Sequence, residues 1–125
     1  MKRVTGLGGV FFKSEDPKQL KSWYEKHLGV SEIFKWKDLE KPEAKEPAQT
    51  IWSPFKKDTP YFSPSEKSFM LNYRVENLVE LLKVLREEGV NVVGEMEEHP
   101  YGKFGWIMDP EGNKIELWEP IDDGF

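Results

Sequence analysis

The chain has 125 residues, a formal net charge of −5, no cysteine, and an aromatic-rich composition of five Trp, four Tyr and eight Phe. That length suits one domain, 1–125, able to fold without staples; the missing cysteines exclude disulfides and thiolate metal sites, and the acidic balance argues against nucleic acid, which needs a basic stripe. No apolar run approaches a membrane span, and Met1-Lys2-Arg3-Val4 lacks a signal-peptide core, so a cytoplasmic protein that does not span a membrane is expected.

Val10, Phe11 and Phe12 open a first strand that ends near Ser14. Asp16 then suits an N-cap, Pro17 the first helical position and Gln19 the capping-box partner, so a helix is predicted over Pro17 to Leu28. Leu20, Trp23, Tyr24 and Leu28 recur along it at helical spacing, and Gly29 stops it. Ile33, Phe34 and Trp36 suggest a second strand, and the charged, Pro-bearing stretch Lys37 to Pro47 a solvated connection. Gln49 to Phe55 reads as a third strand stopped by Pro54, and Tyr61-Phe62 as a short fourth.

The second half repeats the plan. Phe69 to Val75 is strand-like, Asn77 caps a helix with Glu80 as its partner, and Leu78, Leu81, Leu82 and Leu85 form its buried stripe. Gly89 ends it, and Val90 to Val93 lead into another strand. The last strands, Phe104 to Met108 and Lys114 to Trp118, flank Asp109-Pro110-Glu111-Gly112, whose residues suit a type I turn. After the turn, Ile115 and Leu117 alternate with Lys114, Glu116 and Trp118, giving a strand with two chemically different faces. A mid-strand carboxylate opposite an aliphatic face is unfavourable unless its own face lines a wet or functional cavity.

The Asp-Pro-Glu-Gly-Asn turn followed by Ile-Glu-Leu resembles the C-terminal signature of the glyoxalase, bleomycin-resistance and extradiol-dioxygenase superfamily, the vicinal oxygen chelate proteins. The first half resembles the same family through Asp16, Pro17, Trp23, Tyr24, Leu28 and Gly29. The resemblance implies an α+β fold of two βαβββ modules, about 1–63 and 67–120, forming a curled, mostly antiparallel, eight-stranded cup flanked by helices. The Glu of the motif, here Glu116, is commonly a metal ligand in that family. Counted from the helix caps, the other ligand positions fall on Gly9 and Met70, with the middle-strand position near Thr50 or Gln49. Those residues offer no further carboxylate or imidazole, and one carboxylate cannot hold a divalent cation tightly. No cofactor is therefore expected, and glyoxalase activity on a glutathione adduct is disfavoured.

By the same resemblance, Gly9, Phe11 and Lys13 face the cup, as do Met70, Asn72 and Arg74, then Phe104, Trp106 and Met108, and Glu116 with Trp118. Trp52 sits on a strand expected to line it, as a pocket wall or as an exposed edge in a dimer. An aromatic-walled concavity with few polar groups is the usual make-up of a small-molecule site. Each aromatic also has a plainer reading, as filling for the cup, and Arg74 with Glu116 as a structural pair. His27 suits the C-terminal end of its helix. His99, before Pro100 in an expected loop, is either exposed or an acid–base group at the rim.

The expected function is a metal-free, glyoxalase-like or bleomycin-resistance-like protein that binds a small aromatic or amphipathic molecule and forms a homodimer. The alternatives are a lyase, isomerase or dioxygenase using Glu116 as base or metal ligand, and a non-catalytic structural dimer.

Overall fold

A computed structural model describes residues 2–121. In chain order they form β1 (Val4–Ser14), α1 (Pro17–Leu28), β2 (Ile33–Trp36), β3 (Ala48–Lys56), a 3₁₀ turn (Pro60–Phe62), β4 (Phe69–Val75), α2 (Leu78–Glu87), β5 (Val92–His99), β6 (Gly102–Met108) and β7 (Lys114–Pro120). Both helices start where their caps dictate. The Asp16 side chain accepts from Gln19 N at 3.1 Å and that of Asn77 from Glu80 N at 3.2 Å, each satisfying an orphan donor of the first turn.

The strands of the described residues form one curled sheet of seven, in the order β2-β3-β1-β4-β7-β6-β5. β1 and β4 pair antiparallel at its centre, flanked by the parallel pairs β1·β3 and β4·β7. A parallel neighbour requires a crossover, and each helix lies in one. About the β1·β4 pair the strand order runs alike on both sides, with β3 in the place of β7 and β2 in that of β6. β5 has no counterpart among the described residues of the first half.

The expected eighth strand is therefore corrected. Tyr61-Phe62 forms a 3₁₀ turn, because Pro60 presents no N–H to a sheet neighbour and Thr59 caps the turn by accepting from Tyr61 N at 3.2 Å. Pro54 does not stop β3 either. The β2·β3 ladder covers only Ala48 to Ile51, so at Pro54 the strand has lost that neighbour, and an edge tolerates the missing donor. β1 begins earlier than its apolar run, through Gly6, Gly8 and Gly9, where partners approach too closely for side chains; a Cβ at Gly6 would stand 2.7 Å from the Trp36 ring.

The two faces of the sheet carry separate cores. On the helix side, Leu78, Leu81 and Leu82 of α2 pack on Val75 and Leu117, joined by Leu85 and Ile115. Ile115 and Leu117 accordingly lie under a helix, as their alternation demands. On the concave side, Phe11, Phe62, Met70 and Trp106 pack together. The stripe predicted on α1 is only partly used: Tyr24 meets Trp52 with ring centroids 4.6 Å apart, whereas Trp23 is 51% exposed and Leu28 also faces solvent. No helix among the described residues is long and apolar enough to cross a membrane.

Candidate functional site

One row of residues crosses the concave face. Strand register places Ile51 of β3 beside Gly9 of β1, Gly9 beside Asn72 of β4, Asn72 beside Glu116 of β7, and Glu116 beside Trp106 of β6. Directly opposed residues share a face, so the donors flanking Glu116 are fixed by the ladder. Asn72 Nδ2 donates to Glu116 Oε1 at 2.6 Å, and Trp106 Nε1 donates to Oε2 at 2.9 Å. A third donor comes from outside the sheet, as the 3₁₀ turn lays Tyr61 across the concavity with its hydroxyl on Oε2. The carboxylate is thus held by three donors in a residue 2% exposed, the arrangement a buried carboxylate requires.

Above this row lies a hollow of about 280 Å³. Its walls are Phe11, Ile51, Phe55, Tyr61, Tyr101, Phe104 and Trp118, with Asn72 and Glu116 as its buried polar groups. Phe104 stacks on Trp118 at 5.9 Å and Phe55 on Tyr61 at 5.7 Å, each pair 7° from parallel. Trp118 is fixed by donating from Nε1 to Tyr101 O at 3.0 Å. The Phe11 ring folds back over Gly9, 2.7 Å from where a Cβ there would stand, and fills the space that a longer residue would occupy. On the far side of Tyr61 is a second, more open depression bounded by Val93, Glu95, Glu97 and Lys114.

The model of the Glyoxalase/Bleomycin resistance protein/Dioxygenase superfamily matches residues 7–117. The chain belongs to this superfamily. None of the curated proteins matches it by sequence. Among solved structures, it resembles methylmalonyl-CoA epimerase from Mycobacterium tuberculosis at 22% identity, covering 98% of this chain and 93% of that one with a TM-score of 0.63. A selenomethionine methylmalonyl-CoA epimerase gives 16% identity, 97% and 99% coverage and a TM-score of 0.67. A hypothetical protein from Bacillus halodurans gives 14% identity, 92% and 94% coverage and a TM-score of 0.59. At these identities the likeness establishes the superfamily's fold.

Of the residues expected in the superfamily cup, Phe11, Asn72, Phe104, Glu116 and Trp118 line the hollow. Met70 and Trp106 share the face but lie in the packed cluster with Phe62, and Trp106 borders the second depression rather than the hollow. Lys13 stands at the far end of the face with Nζ 5.8 Å from the Phe62 ring centre. Arg74 does not pair with Glu116. Its guanidinium donates to Gln49 O at 3.1 Å and lies between the rings of Trp36 and Trp118. Trp52 is a correction: it opposes Val10, not Gly9, and so turns to the helix side against Phe12 and Tyr24. His99 ends β5 rather than lying in a loop, stacked on Tyr101 with Nε2 3.1 Å from Glu97 Oε1.

The residues level with Glu116 on the neighbouring strands are Asn72, Gly9 and Ile51, whereas Met70 and Thr50 or Gln49 lie off this row. The stretch from this row to the helix is two residues shorter in the second half. A glycine, an isoleucine, an amide and one carboxylate do not make a divalent-cation site, and no cluster of three His, Cys, Asp or Glu suited to a metal occurs among the described residues.

Sequence reasoning missed Ile51 and Tyr61. Parity along β3 would have given Ile51 once it was set opposite Gly9. Tyr61 carried only the signal of Thr59-Pro60, a capped turn that aims the following side chain.

The geometry has a titration consequence. Burial, with Glu116 beside it, pushes the Tyr61 phenol well above its usual 10.0. The folded chain then keeps a proton that the unfolded chain releases near pH 10, so unfolding free energy falls as pH rises beyond about 10. Burial pushes the Lys114 ammonium below 10.5, with Glu116 opposing, so its contribution runs the other way and rises with pH up to that value. Denaturant titrations at successive pH values should show a net alkaline loss of stability in the wild type. Tyr61→Phe should remove that loss; an unchanged alkaline slope in the variant would contradict it.

Proposed function

We propose that the chain binds a small aromatic or amphipathic molecule in the hollow between Phe104, Trp118, Phe55 and Tyr61, without a metal ion. The observation that carries this reading is a cavity of about 280 Å³ walled by aromatic rings around one buried, hydrogen-bonded carboxylate. Small-molecule sites have this composition, apolar walls with a few fixed polar groups. A side chain filling the cup solid would have left no such volume. The donor set around Glu116 supports the metal-free part.

The test is a screen of flat aromatic molecules by thermal shift, with tryptophan fluorescence as a second readout because Trp118 forms a wall. Binding raises the melting temperature with concentration. Phe104→Ala should weaken the affinity by roughly three- to tenfold, the equivalent of the about 0.5–1.5 kcal/mol carried by an aromatic pair. Absence of any stabilisation across the screen would defeat the reading.

Turnover of the bound molecule by lyase or isomerase chemistry is a second reading, supported by a carboxylate in the wall of the hollow, where a general base would stand. For Oε2 to take a substrate proton, Tyr61 and Trp106 would have to yield it. Turnover that survives Glu116→Gln would exclude that role. A cytoplasmic homodimer stays part of the proposal; the open edge of β2, with Ile33 and Phe34 exposed, supports a second copy joining there.

A further inference from the structure

The polar atoms of the hollow are not evenly divided between donors and acceptors. The donors around the carboxylate are spent on it: Asn72 Nδ2 on Oε1, Trp106 Nε1 and the Tyr61 hydroxyl on Oε2. An acceptor direction is left over. Glu116 Oε1 accepts from Asn72 alone, and a carboxylate oxygen has two lone-pair directions.

Charge points the same way. The residues lining the hollow carry one formal charge, that of Glu116. The cations of this face are engaged elsewhere: Lys114 Nζ donates to Tyr61 O at 2.8 Å, Arg74 lies between Trp36 and Trp118, and Lys13 lies over Phe62. The walls are ring systems, whose faces are negative and attract cations.

We infer that the molecule taken by this hollow is a flat aromatic cation that donates N–H groups, an amidinium or protonated heteroaromatic amine, and not an anion. The inference rests on the proposed binding function and adds to it the charge and hydrogen-bonding sense of the ligand. The ring system lies among Phe104, Trp118 and Phe55, and an N–H group meets Glu116 Oε1. An anionic molecule would bring like charge against a buried carboxylate whose own donors are already engaged.

The test uses one ring system with three head groups, naphthamidine, naphthamide and naphthoate, titrated against the full chain by calorimetry and tryptophan fluorescence. Naphthamidine should bind at least about tenfold more tightly than naphthoate, with the amide between them. In Glu116→Gln the amidine should lose its advantage over the amide while the amide keeps its affinity. Equal or tighter binding of naphthoate to the wild type overturns the inference whether or not the variant folds. Binding of the amide with no gain for the amidine overturns it too, yet leaves the binding function standing. If none of the three binds, the inference and the binding function both fall.

Discussion

Glu116→Leu should lower the unfolding free energy by about 2–5 kcal/mol, mostly because of what it leaves behind. The substitution deletes the acceptor for three donors. Tyr61, 38% exposed, can turn its hydroxyl to water, but Asn72 Nδ2 and Trp106 Nε1 lie in buried residues and cannot. Each orphaned donor costs about 1–3 kcal/mol, and the regained desolvation of the carboxylate offsets only part of that. The contrast that identifies the cause is a triple replacement, Glu116→Leu with Asn72→Leu and Trp106→Phe, which removes donors together with acceptor. Denaturant unfolding should find the triple variant nearer the wild type than the single one. A single variant within about 1 kcal/mol of the wild type would mean that the three donors do not depend on this carboxylate.

Phe62→Ala should cost about 3–5 kcal/mol, the range for truncating a fully buried aromatic ring. Phe62 is 0% exposed and packs against Phe11, Met70 and Trp106, so the cavity left would open inside the buried cluster of the concave side. It is also the anchor of a 3₁₀ turn only three residues long. With the anchor gone, Tyr61 should lose its hold on Glu116, and its phenol should titrate near the usual value, visible as an extra phenolate absorbance step at alkaline pH. Tyr61→Phe, by comparison, removes one charge-assisted hydrogen bond and should cost about 1.5–3 kcal/mol. A variant at Phe62 no less stable than the one at Tyr61 would show that the turn is held by something other than this ring.

Much of the fold could be read along the chain because its causes are local. Asp16 with Pro17, Asn77 with Glu80, and Gly29 at φ 66° fix the helix ends through hydrogen bonds or backbone freedom within a few residues. The side chain of Asp109 accepts from Glu111 N and Asn113 N, closing the last turn as its residue types require. Alternation after that turn sent Ile115 and Leu117 to the helices and Glu116 with Trp118 to the concavity. The superfamily could be recognised for the same reason, since its signature is this turn and strand.

The site was legible only in part. Phe11, Asn72, Phe104, Glu116 and Trp118, which the family resemblance set on the cup's face, line the hollow. Trp52 failed because parity gives alternation but not which set faces inward; that depends on register against β1, where Val10 rather than Gly9 meets Trp52. Tyr61 failed because Thr59-Pro60 marks a capped turn but not the surface over which that turn lays its side chain.

By itself, then, the sequence determined the helices with their caps, the hairpin turn and the two-faced character of β7, all governed by contacts a few residues apart. Tertiary structure alone decided the row Ile51–Gly9–Asn72–Glu116–Trp106, the engagement of Arg74 by Gln49 and two indole rings, and the arrival of Tyr61 over a carboxylate 55 positions away in the chain. The reason is that strand register and the path of a connecting turn are set by which distant surfaces pack best together.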